Sequence, residues 1–200
     1  MKSKQKFHFL RIFSGSAWKG TKGYLKTQRI YEIIRTILFF AISASLFFAG
    51  WIATGTRMNL LTVVAVLGVL PASKALVSVI MFCRYGGLVE EDAEEIERHT
   101  VDLSCLYDMV FTGREKTFEV DHLTVKGNQI VGYSHQKNFN EQDFSKHLTP
   151  LLKADSFKDV GIKVFTSRAK YVDRLDQLSQ LSCNETNTAG IIETLKSVSL

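Results

Sequence analysis

The sequence predicts a membrane protein: an α-helical transmembrane hairpin joined to a small α/β (α+β) cytoplasmic domain. Three observations carry this expectation. Two apolar limbs, residues 37–54 and 60–83, flank a short connector, residues 55–59. Each limb is about the 17 to 25 residues that a helix needs to cross the hydrocarbon core. Basic residues crowd ahead of the first limb, and the remainder alternates short apolar segments with turn residues, the pattern of a sheet covered by helices.

The formal net charge of +5 on the 200 residues hides a division. Residues 1–36 hold nine Lys or Arg against one acid, Glu32, whereas residues 90–200 hold thirteen bases against nineteen acids. The basic character therefore belongs to the arm, which argues against nucleic-acid binding by the tail. Lys and Arg collect on the cytoplasmic side of membrane spans, within roughly 15 to 20 residues of their ends. Lys22, Lys26, Arg29 and Arg35 precede the first limb, while the connector offers Arg57. Both termini are expected in the cytoplasm, at the plasma membrane of a bacterium. Cys83, Cys105 and Cys183 form an odd, widely spaced set without metal-ligand pairing, which suits a reducing compartment. The first apolar run begins too late and is too long for a cleaved signal, and a second span follows at once.

Residues 1–36 alternate basic and aromatic side chains. Gly15, Gly20 and Gly23 interrupt helix formation there, and a helical pattern starts near Tyr24 and runs into the first span. Trp18, Lys22, Lys26, Arg29 and Arg35, with Arg84 after the second span, are the expected membrane-interface residues. Their partners are the bilayer and the anionic lipids of its inner leaflet. Within the first span Ala41, Ser45, Ala49 and Ala53 recur at i+4, and Gly68 and Ala72 repeat that spacing in the second. Small residues let helix backbones approach closely in lipid. These rows either pack the hairpin on itself or join two copies of the chain. Lys74 lies inside the second span near Pro71; an intramembrane charge is a functional candidate, although its long stem can carry the ammonium toward the headgroups.

Residues 84–89 form a hinge, and residues 90–200 the cytoplasmic domain. Its predicted order is α-β-β-β-α-β-α. An acidic helix begins at Glu90, as the helix dipole favours. Strands follow over 106–111, 116–125 and 129–134, joined around Gly113 and Gly127 as a meander. In the second strand Phe118, Val120, His122 and Thr124 alternate imperfectly with Glu119, Asp121, Leu123 and Val125. Asn140 caps a helix with the stripe Phe144, Leu148, Leu151 and Leu152, which Pro150 kinks or ends. A strand over 160–166, a helix capped by Ser167, a polar loop over 182–188 and a short terminal helix near 191–196 complete the chain.

This order, with Glu119-Val-Asp-His-Leu123 on the second strand, resembles the restriction-endonuclease-like (PD-(D/E)XK) core, closest to its NERD-type branch. The resemblance spans about residues 90–180. It implies that Asp121 holds a divalent cation with a glutamate of the first helix, Glu94 or Glu97. It also implies a Glu-x-Lys pair on the third strand, where this chain has Gly132 and Ser134. One carboxylate cannot hold Mg²⁺ in octahedral oxygen geometry unless Glu119 or another residue joins it. The resemblance therefore implies a relative that has lost nuclease activity.

Nothing else in the sequence assembles a converging set of catalytic groups. His99, His122, His135 and His147 lie on different elements without metal-site spacing, and no resident metal or cofactor is expected. The function expected is a non-enzymatic scaffold, tether or regulator that presents an α/β domain at the inner membrane face to a protein partner not named by the sequence. Two alternatives stand beside it. One is a membrane-attached, Mg²⁺-dependent nuclease using Asp121 with Glu97 or Glu119. The other is a small transporter or channel subunit using Lys74.

Overall fold

The computed structural model describes residues 18–101, 103–113, 116–181 and 185–200. The first part of the basic arm, residues 1–17, lies outside the described residues, as do Cys183 and Asn184 of the polar loop. Two compact units divide the chain: Leu25–Gly86, and the segment ending at Tyr24 together with Gly87–Leu200.

The first unit is a pair of helices, α1 (Tyr24–Thr54) and α2 (Leu60–Arg84). Gly55 leaves α1 at a φ of +67°, a left-handed conformation that glycine adopts without a Cβ penalty. The Asn59 side chain accepts a hydrogen bond from the Thr62 amide at 2.9 Å, which caps the start of α2. At the other end Arg29 donates to the carbonyls of Phe82 at 3.2 Å and Tyr85 at 2.7 Å. A cation there satisfies the last carbonyls of α2 and complements its dipole. Both helices are long and apolar enough to cross a membrane. Their most apolar windows have mean hydropathies of 2.0 and 2.2, and 17% of each is buried. Ile37, Ile42, Ile52, Leu60, Val66 and Leu70 all point outward.

Where the helices meet, the seam runs in alternating steps of three and four residues. On α2 the buried positions are Ala65, Ala72, Ala75 and Phe82, with Gly68 half-buried between them. A Cβ on Gly68 would stand 2.7 Å from Ser43 Oγ. On α1 the buried positions of the seam are Thr36, Ser43 and Gly50. Ala41, Ser45, Ala49 and Ala53, expected either on this seam or between two copies of the chain, are all exposed. The reason is helical geometry: each i+4 step advances about 40° beyond a full turn, so a strict i+4 row winds away from its partner. A heptad spacing stays on the shared face. Lys74 is exposed on α2.

In the second unit the predicted element order is found, followed by the short terminal helix expected near 191–196. Helix α3 (Glu90–Arg98) precedes β1 (Ser104–Thr112), β2 (Thr117–Lys126) and β3 (Gln129–Tyr133). Then follow α4 (Glu141–Ala154), β4 (Gly161–Phe165), α5 (Arg168–Gln180) and α6 (Thr188–Val198). The sheet is ordered β1-β2-β3-β4, antiparallel across the meander and parallel between β3 and β4. Helices α4 and α6 pack on one face through Phe144, Leu148, Leu152, Ile191 and Leu195. Helices α3 and α5 cover the other through Ala93, Ile96, Tyr171, Leu175 and Leu178. Pro150 lies inside α4 and the helix continues to Ala154.

The imperfect alternation of β2 has a structural cause. Phe118 and Val120, and then Leu123 and Val125, all reach the α4/α6 core. The inward set therefore changes from even to odd positions at Asp121. Strand β1 changes in the same place: Leu106, then Met109 and Phe111, face that core, and Asp108 between them has a φ of +53°. Because both strands switch together, the pairing register is unbroken from Ser104–Val125 to Thr112–Thr117.

The end of the basic arm belongs to this unit. The Tyr107 amide donates to the Gly20 carbonyl at 3.0 Å, which adds a backbone bridge to the free edge of β1. Lys19 Nζ donates to the Ser199 carbonyl at 2.5 Å and the Lys196 carbonyl at 3.3 Å, holding the end of α6. Lys22 pairs with Glu97 at 2.8 Å. Of the residues expected at the membrane interface, Lys22 and Arg29 are thus engaged within the protein. Arg35 bonds Glu32, and Trp18 accepts at its carbonyl from Thr21. Lys26 and Arg84 are exposed.

Phe144 is fully buried and its ring meets those of Phe111, Phe118 and Phe139 at 5.3 to 5.5 Å. Phe144→Ala is expected to cost about 3 to 5 kcal/mol through lost burial and the cavity left behind. Hydrogen exchange of the β2 amides in the detergent-solubilised chain measures this. Protection equal to that of the parent protein would contradict the packing described.

Candidate functional site

Two strand residues and one loop residue converge where β2 outruns β3. Strand β3 pairs with β2 from Lys126–Gln129 to His122–Tyr133 and then leaves the ladder. The loop that follows is held against β2 by side chains. Ser134 Oγ donates to the Glu119 carbonyl at 2.7 Å. The His135 amide donates to Asp121 Oδ2 at 2.6 Å, and the His135 ring places Nδ1 2.7 Å from the same oxygen. Gln136 Nε2 donates to Glu119 Oε2 at 3.0 Å. Ligand atoms of Glu119, Asp121 and His135 lie within 4.8 Å of one another.

The carboxylates are deeply placed. Asp121 is 0% exposed, and Glu119 and Asp108 are 4% exposed. Asp108 stands on β1 opposite Asp121, between the pairs Tyr107–His122 and Met109–Val120. A buried charge is costly unless hydrogen-bonded or paired, and each of these acids is met by a backbone amide. Gly87 donates to Glu119 Oε1 at 3.2 Å, Leu88 to Asp108 Oδ1 at 2.8 Å, and His135 to Asp121. Gly87 is required for this: its φ is +72°, and a Cβ there would fall 2.7 Å from Asp108 Oδ1. Asp121 Oδ1 is buried and has no hydrogen-bond partner among the described residues.

Burial pushes the Asp121 carboxyl above its usual range, and the Glu119 charge adds to this against the opposing bonds from His135. Burial alone would lower the His135 imidazole, but its bond to Asp121 and the charges of Asp121, Glu119 and Asp92 outweigh that and raise it. The arrangement accepts hydrogen bonds and positive charge.

The residues named by the endonuclease resemblance are not all brought together. Asp121 and Glu119 are adjacent, but Glu97 pairs with Lys22 and Glu94 is exposed. A different helical acid, Asp92, acts by charge on His135, accepts from Tyr133 at 3.0 Å and pairs with Arg168 at 2.7 Å. On β3, a Cβ on Gly132 would stand 3.0 Å from Val120 Cγ1 and 3.3 Å from Val164 Cγ2, so a longer side chain there must displace its neighbours. Sequence reasoning passed over His135, because positions 119, 121 and 135 become neighbours only through the register of β2 with β3. The signal available was arithmetic: pairs summing to 255 put residue 134 beside residue 121.

A second polar group lies under α5. His122 Nδ1 is 2.6 Å from the Tyr171 hydroxyl, which also meets Thr124 at 3.1 Å. Tyr107 packs edge-on against the His122 ring at 4.6 Å. Burial raises the Tyr107 phenol to about 12 and holds Tyr171 well above its ordinary value. Cys105 is partly buried beside Thr124, and burial raises its thiol, which suits a structural thiol rather than a nucleophile.

Burial lowers the His122 imidazole from 6.5 to about 3, so His122 is neutral in the folded chain at ordinary pH. The unfolded chain takes up a proton below about 6.5, which the folded chain refuses. Stability is therefore present above that pH and falls as pH drops toward 3, by up to about 1.4 kcal/mol per pH unit. Denaturant unfolding of the solubilised protein against pH tests this, with His122→Phe as the reference. Parallel pH profiles for the two proteins would contradict it. No family model matches the sequence, and no match was found to a curated protein or to a solved structure.

Proposed function

We propose that the chain is a membrane-anchored, non-enzymatic module that holds an α/β domain at the inner face of the membrane for a protein partner. The observation that carries this reading is that both ends of the hairpin lead into one compact unit, residues up to Tyr24 and residues from Gly87 onward. Gly20, Lys19 and Lys22 are bonded to β1, to the end of α6 and to α3. Two antiparallel spans with their outer ends in one folded body require both ends on the same side of a bilayer. The basic residues ahead of the first span favour the cytoplasmic side.

The non-enzymatic part of the reading rests on the acidic cluster. Its carboxylates are buried and bonded to the chain's own amides, and Gly132 on the third strand and Ser134 just after it stand where the endonuclease resemblance needs Glu and Lys. The remaining likeness to that family is the element order and Asp121, which supports an inactive relative better than a working nuclease. Lys74 lies on an outward face of α2, which favours its reaching toward the headgroups over lining a path for ions.

Cysteine labelling in intact cells tests the arrangement. In a cysteine-free background, cysteine is introduced at Met58, which is 95% exposed in the connector, or at Val101, which is 82% exposed after α3. A membrane-impermeant maleimide is expected to label position 58 in intact cells and position 101 only after permeabilisation. Labelling of both positions in intact cells would overturn the topology.

A further inference from the structure

We propose that Glu119, Asp121 and His135 hold one divalent transition-type cation, of the Zn²⁺ or Mn²⁺ class, in a structural rather than hydrolytic site. The inference does not depend on which side of the membrane the domain occupies. Three independent features support it. Ligand atoms of the three residues already lie within 4.8 Å of one another. Bonds of about 2.1 Å in a tetrahedral site place ligand atoms about 3.4 Å apart, so small side-chain rotations close the set. Asp121 is completely buried, and its Oδ1 has no hydrogen-bond partner among the described residues, although a buried carboxylate oxygen ordinarily accepts at least one bond. Asp108, opposite Asp121 on β1, adds a further buried acid. Against these carboxylates the structure sets backbone amides, the Gln136 side chain and the His135 ring. A cation would add to these contacts a full positive charge, which dipoles lack.

The donor set selects the class of ion. Two carboxylates and an imidazole suit Zn²⁺ or Mn²⁺, whereas Mg²⁺ and Ca²⁺ prefer oxygen alone. The His135 side chain is 44% exposed and gives an ion a route from solvent, while Asp121 forms the floor. An ion seated here ties β2 to the loop after β3. Through Glu119 it also acts on Gly87, whose amide now holds one Glu119 oxygen.

The full-length protein in detergent, stripped with chelator, is offered Zn²⁺, Mn²⁺, Mg²⁺ or Ca²⁺. Retained metal is then measured after gel filtration, alongside thermal unfolding. The expected result is about one Zn²⁺ or Mn²⁺ retained per chain with a raised unfolding temperature. His135→Ala, at an exposed position, is expected to weaken affinity by at least about tenfold with an unchanged circular-dichroism spectrum. Asp121→Asn, nearly isosteric, is expected to abolish retention. Failure to retain either ion, tighter retention of Mg²⁺ or Ca²⁺, or Zn²⁺ retention that neither substitution alters would overturn the proposal.

Discussion

The constraint that governs this protein is the apolar exterior of its first unit. Helices α1 and α2 turn Ile37, Phe48, Ile52, Leu60, Val66 and Ile80 outward, and 17% of each apolar window is buried. The hairpin seam is filled by Ala65, Gly68, Ala72 and Ala75 against Ser43 and Gly50, residues with little apolar area to contribute. Small side chains of this kind gain from close backbone contact and not from removal of grease from water. A soluble helix pair has the opposite arrangement, with large residues in the seam and polar ones outside. In water such an exposed apolar surface would drive association.

The second unit solves a different problem, the burial of acids in a small sheet. Asp108, Glu119 and Asp121 sit where β1 and β2 exchange inward and outward faces. At that crossing regular strand pairing gives way to side-chain contacts. Amides from the segment after α2 and from the loop after β3 meet the carboxylates there. The same acids therefore shape the strands and fasten two connecting segments to them. That economy explains why a sheet of four strands tolerates so much buried negative charge.

Much of this was legible in the sequence because it rests on local rules. The hairpin limits follow from hydropathy and length, Asn59 and Asn140 from capping chemistry, and the β2–β3 turn from Gly127. What escaped was non-local or depended on fine geometry. The i+4 row of small residues on α1 lies off the hairpin seam, because its drift around the helix accumulates over Ala41 to Ala53, which leaves only its alternative use between two copies of the chain. Pro150 could kink or end its helix, and α4 continues through it to bury Leu152, as the stripe had suggested, beside Phe144 and Leu148. Nothing in the sequence signalled that Lys19 and Lys22 of the basic arm find carbonyl and carboxylate partners some 75 to 180 residues away. His135 gave no spacing signal because its approach to Asp121 is made by strand register alone.

Extraction of membranes with alkaline carbonate tests the central claim most directly, since it releases proteins held by charge or by other proteins and leaves those seated in the hydrocarbon. The account predicts that the full-length chain remains entirely in the membrane pellet. It also predicts that a chain with paired aspartates on the outward faces, Ile42→Asp in α1 and Val66→Asp in α2, moves to the supernatant. Release of the unaltered chain by carbonate would contradict it.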